Sequence, residues 1–527
     1  MINGIISIIS QYIQFTIDFM ADYILSIDQG TTSTRCILFN KTGDSIATAQ
    51  HEIKQSFPFL GWVEHDPIEI WESVKQTFDQ VLRIAGINAN QIVTIGITNQ
   101  RETTVLWNRT TGLPVYPAIV WQSRQSDEIC NSVKASGFER VISEKTGLVV
   151  DTYFSASKIA WILEHVEEAR MQAEAGNLAF GTIDTWILWN LTEGKVHATD
   201  YSNASRTLLF NVQTHSWDAE LSNIFGIPSS ILPEIKDSSG YFGTTSKNVL
   251  GAEISINGIA GDQQAALFGQ GCILPGMAKN TYGTGCFMLI NTGNKRVFSK
   301  LGMLTTIAWG IDGEITYALE GSVFVAGSAI QWLRDGLKII DHASQAEEIA
   351  SETDDSGGVY FVPAFVGLGA PYWNSEARGS FFGLTRGTKR SHIVRAALES
   401  MAFQTRDVFD AMQNDADLTL TSLRVDGGAT ENALLLQFQS DLLQVNVDKP
   451  YNTESTALGA ALLAGLSVGI FKTMDDCASI RKSEHIYSPV VSPEEVEKKI
   501  CTLEKGCSGN TRFSCPFRRM MYFVLND

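Results

Sequence analysis

The chain has 527 residues, a formal net charge of −18, 44% hydrophobic residues and 19% charged residues. At roughly 100–200 residues per domain, that length makes two to four domains, each large enough to bury a core; the composition excludes bulk disorder, and 44 glycines against 13 prolines exclude proline-rich classes. An acidic chain without a Lys/Arg-rich block excludes a nucleic-acid partner, so a polyanionic ligand would rely on backbone N–H groups, a metal ion and a few local cations.

The stretch Met1 to Phe19 is rich in Ile but interrupted by Asn3, Gln11, Gln14 and Asp18, which makes it a poor membrane span. The first basic residue is Arg35, so neither a secretory nor an organellar leader fits. Translation is expected to start at Met20, with residues 1–19 an extension outside the fold and no membrane contact. From Tyr23 the pattern is strand, glycine turn, strand: Tyr23 to Ile27, then Asp28-Gln-Gly-Thr-Thr-Ser-Thr-Arg35, then Cys36 to Phe39. At Asp66-Pro67-Ile-Glu69 a helix begins: Asp66 can cap, Pro67 suits the first helical position, and Glu69 can reach back as in a capping box. Ile70, Trp71, Val74, Phe78, Val81 and Leu82 keep a helical apolar spacing. Ile92 to Thr98 is a β-like run ending at Asn99-Gln-Arg-Glu102. The alternation of strands and helices predicts an α/β fold.

A weak echo follows in the second half. Asn280-Thr-Tyr-Gly-Thr-Gly-Cys-Phe287 is again a small-residue turn beside an apolar strand, and Leu423 to Asp426 ends in Gly427-Gly428. The chain therefore reads as two halves of similar plan across a cleft, dividing near Gly271–Gly276: residues 20–272 and 273–499, followed by an atypical tail at 500–527. The eight cysteines contain no C-x-x-C pair, and the cluster Cys501, Cys507 and Cys515 has spacings unlike a zinc site, so free thiols in a reducing compartment are expected.

Several turns carry residue types suited to phosphoryl transfer. In Asp28–Arg35, Gly30 allows the tight turn, the following N–H groups and hydroxyls can cradle phosphate, Asp28 can hold a metal, and Arg35 can offset phosphate charge; a plain hairpin turn accounts for the same residues equally well. Gly283-Thr284-Gly285 is a second, weaker turn of this kind. Arg101-Glu102 can grip vicinal hydroxyls, with guanidinium N–H groups donating and the carboxylate accepting, or can be a surface ion pair. Asp262, at the start of a helix after Ile259-Ala260, can take a proton from an alcohol or simply cap that helix. In Asp426-Gly-Gly-Ala-Thr-Glu-Asn432 the glycines admit close approach of a base or phosphate, or merely form a β–α turn.

Together these strings resemble the FGGY carbohydrate kinase family. Two family motifs stand out: Tyr153-Phe-Ser-Ala-Ser-Lys158-Ile-Ala-Trp161-Ile-Leu-Glu-His165, and Gly379-Ser-Phe-Phe-Gly383-Leu384 followed by His392-Ile-Val-Arg-Ala-Ala-Leu-Glu399. Gly61 to Pro67, Ile97 to Thr104, Asp184-Thr-Trp186, Asn203-Ala-Ser-Arg-Thr207, Gly258 to Ala266 and Asn280 to Phe287 are similar to the members that act on glycerol. The resemblance covers about Tyr23 to Lys499. It implies two actin-like, RNase H-like α/β ATPase domains facing across a catalytic cleft, residues 20–272 for polyol and phosphate and 273–499 for nucleotide, and transfer of the ATP γ-phosphate to a terminal hydroxyl of glycerol. It further implies that Arg101, Glu102, Tyr153, Asp262 and Gln263 bind the hydroxyls, that Trp121 and Phe287 wall the carbon backbone, and that Asp262 is the general base. By the same carry-over, Thr31, Thr32, Ser33, Arg35 and Thr284 hold phosphates, Gly327, Gln331, Gly428 and Asn432 hold the nucleoside, and Asp28 with Asp262 positions Mg²⁺. A cytoplasmic homo-oligomer, dimer or tetramer, is the family expectation.

The chain departs from the pattern at Glu253, where relatives controlled by a sugar bisphosphate carry arginine, and in having no histidine between His215 and His342; neither control is carried over. From about Ile500 the tail is unlike the family's. A xylulose, ribulose or gluconate kinase is the nearest alternative, and a non-catalytic actin-like ATP sensor is the alternative from another class.

Overall fold

In the computed structural model, which describes residues 23–374 and 376–496, the apolar run at Tyr23 extends into strand β1 (Tyr23–Gln29) and turns at Gly30 into β2 (Ser33–Phe39), which pairs antiparallel with β1 and with β3 (Ser45–Glu52). The expectations for residues 1–19 and 500–527 lie outside the described residues. The chain divides into two units. One comprises the described residues through Gly269 with Thr306–Ile315 and Thr456–Ile480; the other comprises Gln270–Thr305, Thr316–Ser455 and the described residues from Arg481 on.

In the first unit, helix α1 (Pro67–Ala85) starts and stops where local chemistry dictates. The Asp66 carboxylate accepts from the Ile68 N–H at 2.8 Å, Pro67 occupies the first turn, and Gly86 ends the helix at φ 67°, a left-handed value that glycine adopts without steric cost. Glu69 does not close the expected capping box; its carboxylate accepts from the Lys54 N–H at 3.2 Å, beyond β3. Ile70, Val74, Phe78 and Val81 of α1 join Leu25, Ile27, Ile95 and Ile97 in one buried cluster. Strand β4 (Ile92–Asn99) lies parallel to β1, and β6 (Ser255–Gly261) lies parallel to β4, with β5 (Ser239–Thr244) antiparallel on its far side. The sheet order is β5-β6-β4-β1-β2-β3.

Because side chains alternate along a strand, Gly96 faces away from Ile95 and Ile97. There the helix Ser455–Ser467 crosses the sheet: a Cβ on Gly96 would overlap the Ala460 carbonyl, and one on Gly258 would come within 2.6 Å of the Ala464 nitrogen. Small residues on both sides permit this approach, and the central strands, covered on both faces, read as continuous apolar runs.

The second unit repeats the strand plan. β7 (Ala278–Tyr282), β8 (Cys286–Gly293) and β9 (Glu314–Val323) form an antiparallel meander; β7 is parallel to β10 (Ser422–Asp426), and β10 to β11 (Asn446–Pro450). Helices α5 (Gly327–Asp335), α6 (Arg390–Ala416) and α7 (Ala433–Leu443) contribute Leu333, Val394, Met401 and Leu436 to its core. The echo read from Asn280–Phe287 and Leu423–Gly428 is thus a topological one: meander, then two parallel strands, in each unit. The five described cysteines are free and buried. Among the described residues no helix is long and apolar enough to cross a membrane.

Candidate active site

The parallel strands of the first unit deliver the predicted polar residues to their carboxyl ends, where open α/β sheets bind ligands. Asp28 in β1 and Ala260 in β6 both register with Thr98 in β4, one on each side. β4 runs on into Gln100-Arg101-Glu102, and β6 into Asp262, the first residue of helix α4 (Asp262–Gly269).

Arg101 and Glu102 are not a surface ion pair. They are 3% and 2% exposed, and Arg101 Nε lies 3.9 Å from the Glu102 carboxylate but 3.1 Å from Asp262 Oδ1. The Arg101 guanidinium also donates to Gln264 Oε1 at 3.1 Å and to the Tyr153 hydroxyl at 3.4 Å. Its stem packs on Gly261, where a Cβ would sit 2.7 Å from Arg101 Cδ. Glu102 pairs instead with Arg206, whose Nε donates to Oε1 at 2.7 Å. The backbone reverses sharply here: Glu102 has φ 60°, and the Thr103 N–H donates to the Arg101 carbonyl at 2.6 Å. Left-handed backbone at a residue other than glycine costs about 1–3 kcal/mol and concentrates at functional sites.

Asp262 is the first residue of its helix, with its carboxylate turned toward Arg101. Its Oδ1 accepts from the Gln263 N–H at 2.7 Å at the helix start, and its carboxylate, 31% exposed, meets Arg101. Gln263 is 7% exposed. Tyr153 sits just before helix α2 (Ser155–His165), and Trp121 meets its ring edge-on at 5.6 Å between centroids. Trp121 Nε1 donates to Thr31 Oγ1 at 2.9 Å, tying the polar cluster to the β1–β2 turn. In that turn the Gly30 N–H donates to the Ser33 carbonyl at 2.9 Å; Thr32 is exposed and Ser33 is buried. Arg35 lies opposite Asp28 across the hairpin, 3.5 Å from its carboxylate.

The second unit holds a cavity of about 580 Å³, lined among others by Thr284, Gly327, Gln331, Gly428 and Asn432, the five nucleotide residues expected in this half. Glycines make room for it. Gly427, at φ 91°, packs on the Tyr282 backbone, whereas a Cβ on Gly428 would meet nothing within 4 Å. Gly327 lies so near the Gly283 carbonyl that a Cβ would stand 2.6 Å from it. The first N–H groups of α5 are already engaged by the β7–β8 turn: Gly327 donates to Gly283 at 3.0 Å and Ser328 to Thr284 at 3.2 Å. Asn432 caps α7, its Oδ1 accepting from the Leu435 N–H at 2.9 Å. Ile330, Leu398 and Met401 give the cavity apolar wall, and Glu347 and Glu431 give acid. Phe287 is not among the lining residues; it lies in β8, registered with Thr281 and Ser322.

The chain matches the N-terminal domain of the FGGY family of carbohydrate kinases over residues 23–269 and the C-terminal domain of that family over residues 278–468. It belongs to this family. It is 58% identical to a glycerol kinase of Caldanaerobacter subterraneus over 479 residues, which is 91% of this chain and 96% of that protein. It is also 58% identical to a glycerol kinase of Geobacillus sp. over 495 residues, 94% and 100% of the two chains. Among solved structures it resembles Plasmodium falciparum glycerol kinase with ADP, with a TM-score of 0.85, 40% identity, and 92% and 97% of the two chains covered. Xylulose kinase of Lactobacillus acidophilus shares the fold at a TM-score of 0.81 and 22% identity.

Two buried cations of this FGGY kinase stood inside the motif strings without a role: Arg206, in Asn203–Thr207, and Lys158, in the string that begins at Tyr153. Lys158 is fully buried and donates to the Tyr153 carbonyl at 2.7 Å and the Phe154 carbonyl at 3.0 Å. Burial pulls its ammonium down to about 7. A lysine amid the apolar face of α2 was the available signal, since buried lysines almost always have partners. The apolar cavity wall gave none, because Leu398 and Met401 follow the same spacing as the rest of the α6 core.

Proposed function

We propose that the chain transfers the γ-phosphoryl group of ATP to a terminal hydroxyl of glycerol, giving sn-glycerol 3-phosphate and ADP. The observation that carries this reading is the cluster of buried Arg101, Glu102 and Tyr153 with the partly exposed Asp262, in a chain 58% identical to glycerol kinases over nearly its whole length. Arg101 donates to polyol oxygens, Glu102 accepts from polyol hydroxyls, and the Tyr153 hydroxyl and Gln263 amide supply further hydrogen bonds. A substrate lacking a hydroxyl would leave some of these buried groups unpaired, which is how such a site rejects analogues. Trp121, beside Tyr153, and Phe287 are the apolar groups for the carbon chain.

Asp262 acts as general base. Arg101 and the Gln263 N–H orient its carboxylate, and its partial exposure lets a hydroxyl reach it. As the polyol oxygen bonds to phosphorus, Asp262 takes the hydroxyl proton; the bond from the γ-phosphorus to the β–γ bridging oxygen breaks, and ADP leaves with that electron pair. Thr31, Thr32, Ser33, Arg35 and Thr284 bind phosphate oxygens. Gln331 and Asn432 bind the nucleoside where Gly327 and Gly428 leave space. The donor set fits Mg²⁺, an ion that takes one or two carboxylates and completes its shell with phosphate and water: Asp28 and Asp262 are the carboxylates at these strand ends. When bound, Mg²⁺ supplies charge neutralisation on the phosphates.

The test is ADP release with Mg-ATP, comparing glycerol with xylulose, ribulose, gluconate and no acceptor. A rate that depends on glycerol supports the proposal. Turnover only with one of the sugars or gluconate points to the sister activity, and ATP binding without any turnover points to a sensor.

A further inference from the structure

Glu102 is 2% exposed and Tyr153 is 4% exposed. A carboxylate and a ring at such depth have little water to fix them, so their geometry is set by the groups packed against them. Two side chains reach both: Arg101, already placed among the polyol-binding groups, and Arg206. Arg206 is fully buried; its Nε donates to Glu102 Oε1 at 2.7 Å, and its guanidinium carbon lies 5.6 Å from the centroid of the Tyr153 ring and 5.2 Å from that of Phe154. Its backbone is fixed in turn. Helix α3 (Tyr201–Ala204) is capped by Asp200, whose carboxylate accepts from the Ser202 and Asn203 N–H groups, each at 2.9 Å. The Arg206 N–H donates to the Asn203 carbonyl at 3.0 Å, and the next carbonyl, Thr207, accepts from the Ala156 N–H at 2.9 Å. Ser155 Oγ donates to the Glu102 carbonyl at 3.0 Å, so the turn after α3, the start of α2 and the Glu102 reversal are stitched together around the guanidinium.

We propose that Arg206 is a positioning residue for polyol recognition: it holds the Glu102 carboxylate and the Tyr153 ring in the geometry that grips the hydroxyls, without itself touching the substrate. The inference rests on the reading of Glu102 and Tyr153 as polyol-binding groups. Stability alone is a poor reason for the arrangement, because a buried ion pair is often no more stabilising than a well-packed apolar set. What an apolar set cannot do is present a carboxylate in one orientation as an acceptor. A planar guanidinium does this: it pairs through its edge and stacks through its face at once, which a lysine ammonium cannot.

The experiment compares Arg206→Met, Arg206→Lys, Glu102→Gln and the double variant Arg206→Met/Glu102→Gln, with KM for glycerol, KM for ATP and kcat measured for each. Arg206→Met is expected to raise KM for glycerol about 30-fold, the loss of one charge-assisted hydrogen bond, with KM for ATP unchanged and kcat within about three-fold. Arg206→Lys restores charge but not the stacked fork, and is expected to recover only part of the loss. In the Glu102→Gln background the Arg206→Met effect shrinks to a few-fold, because the two residues act as one unit. The proposal is overturned if both Arg206 variants leave KM for glycerol within two-fold of the parent, if they raise KM for ATP equally, or if the Arg206 and Glu102 effects multiply independently. If Arg206→Met does not fold, Arg206→Lys carries the same decision alone. Failure of the underlying site reading looks different: Glu102→Gln itself would leave KM for glycerol unchanged.

Discussion

The two units carry the same strand plan but opposite kinds of site. In the first, the charged groups that follow the strand ends are committed: Arg101 to Asp262, Gln264 and Tyr153, Glu102 to Arg206, Asp262 to the Gln263 N–H. In the second, the site is space, a cavity of about 580 Å³ bounded by glycines and by Ile330, Leu398 and Met401. On the proposed assignment of polyol to the first unit and nucleoside to the second, the difference follows from the ligands. A polyol offers only hydroxyls, so recognition needs donors and acceptors set beforehand, and a misplaced one costs affinity. A nucleoside offers a large planar surface, so recognition needs room and apolar contact. One topology serves both because the loops after the strands, not the sheet, differ.

That contrast can be attacked from each side. Asp262→Asn removes the proposed base from the committed site; kcat for ADP release with glycerol should fall about 10²–10⁴-fold, while ADP affinity, measured by calorimetry, stays within two-fold. Normal turnover in this variant would remove Asp262 from its role. Next in size is the cavity. Gly428→Leu, projecting into open space, should raise KM for ATP about tenfold or more by filling nucleoside volume, and Gly428→Ala, which meets nothing within 4 Å, should change it little. Neither should move KM for glycerol; if both constants rise together, the two sites are not separable. Tyr153→Phe is the mildest probe of the committed side. It removes one hydroxyl and should raise KM for glycerol about five-fold, within the range for a single neutral hydrogen bond, leaving KM for ATP alone.

Acid sensitivity probes the packing beneath the first site. Burial lowers His65 and His197 from 6.5 to about 4 each. A histidine held neutral in the fold takes up its proton on unfolding, so these two contribute stability that is lost as pH falls from 6.5 through 4. Asp184, raised by burial from 3.8 to about 6, works the other way over pH 3.8–6 because the folded form then binds the extra proton. Burial raises Asp200 as well, and the Lys145 ammonium helps hold Asp218 low, so the decisive comparison is by difference: Asp184→Asn should make the urea midpoint fall more steeply from pH 6 to 4 than it does in the parent. Equal slopes for the two proteins would refute the assignment.

What could be read from the sequence was what local chemistry decides. The Asp66-Pro67 start of α1 and the strand from Ile92 follow from capping chemistry and apolar spacing; the helix starts at Pro67 as read, and the strand runs one residue past Thr98. Glu69 went elsewhere because Lys54 brought a donor from outside the helix, which no local rule sees. The same limit hid the burial of Arg101. Adjacent Arg-Glu reads as a surface pair; only the reversal at Glu102 sends the two side chains to different partners, Asp262 and Arg206, far along the chain. Most of the candidate site was legible through motif resemblance. Arg206 and Lys158 escaped although they stood in the same strings, because a resemblance hands on residues with assigned roles and these act from behind.

The helix Ser455–Ser467, whose backbone rests on Gly96 and Gly258, has a consequence for how the protein is made. At synthesis rates of about 5–20 residues per second, roughly 200 residues of nascent chain follow Gly258 before that helix leaves the ribosome, a wait of about 10–40 s. Through that interval the first-made sheet has one bare face. Newly translated chains should therefore engage chaperones until the late helix arrives, and a chain halted at residue 269 should bind them indefinitely.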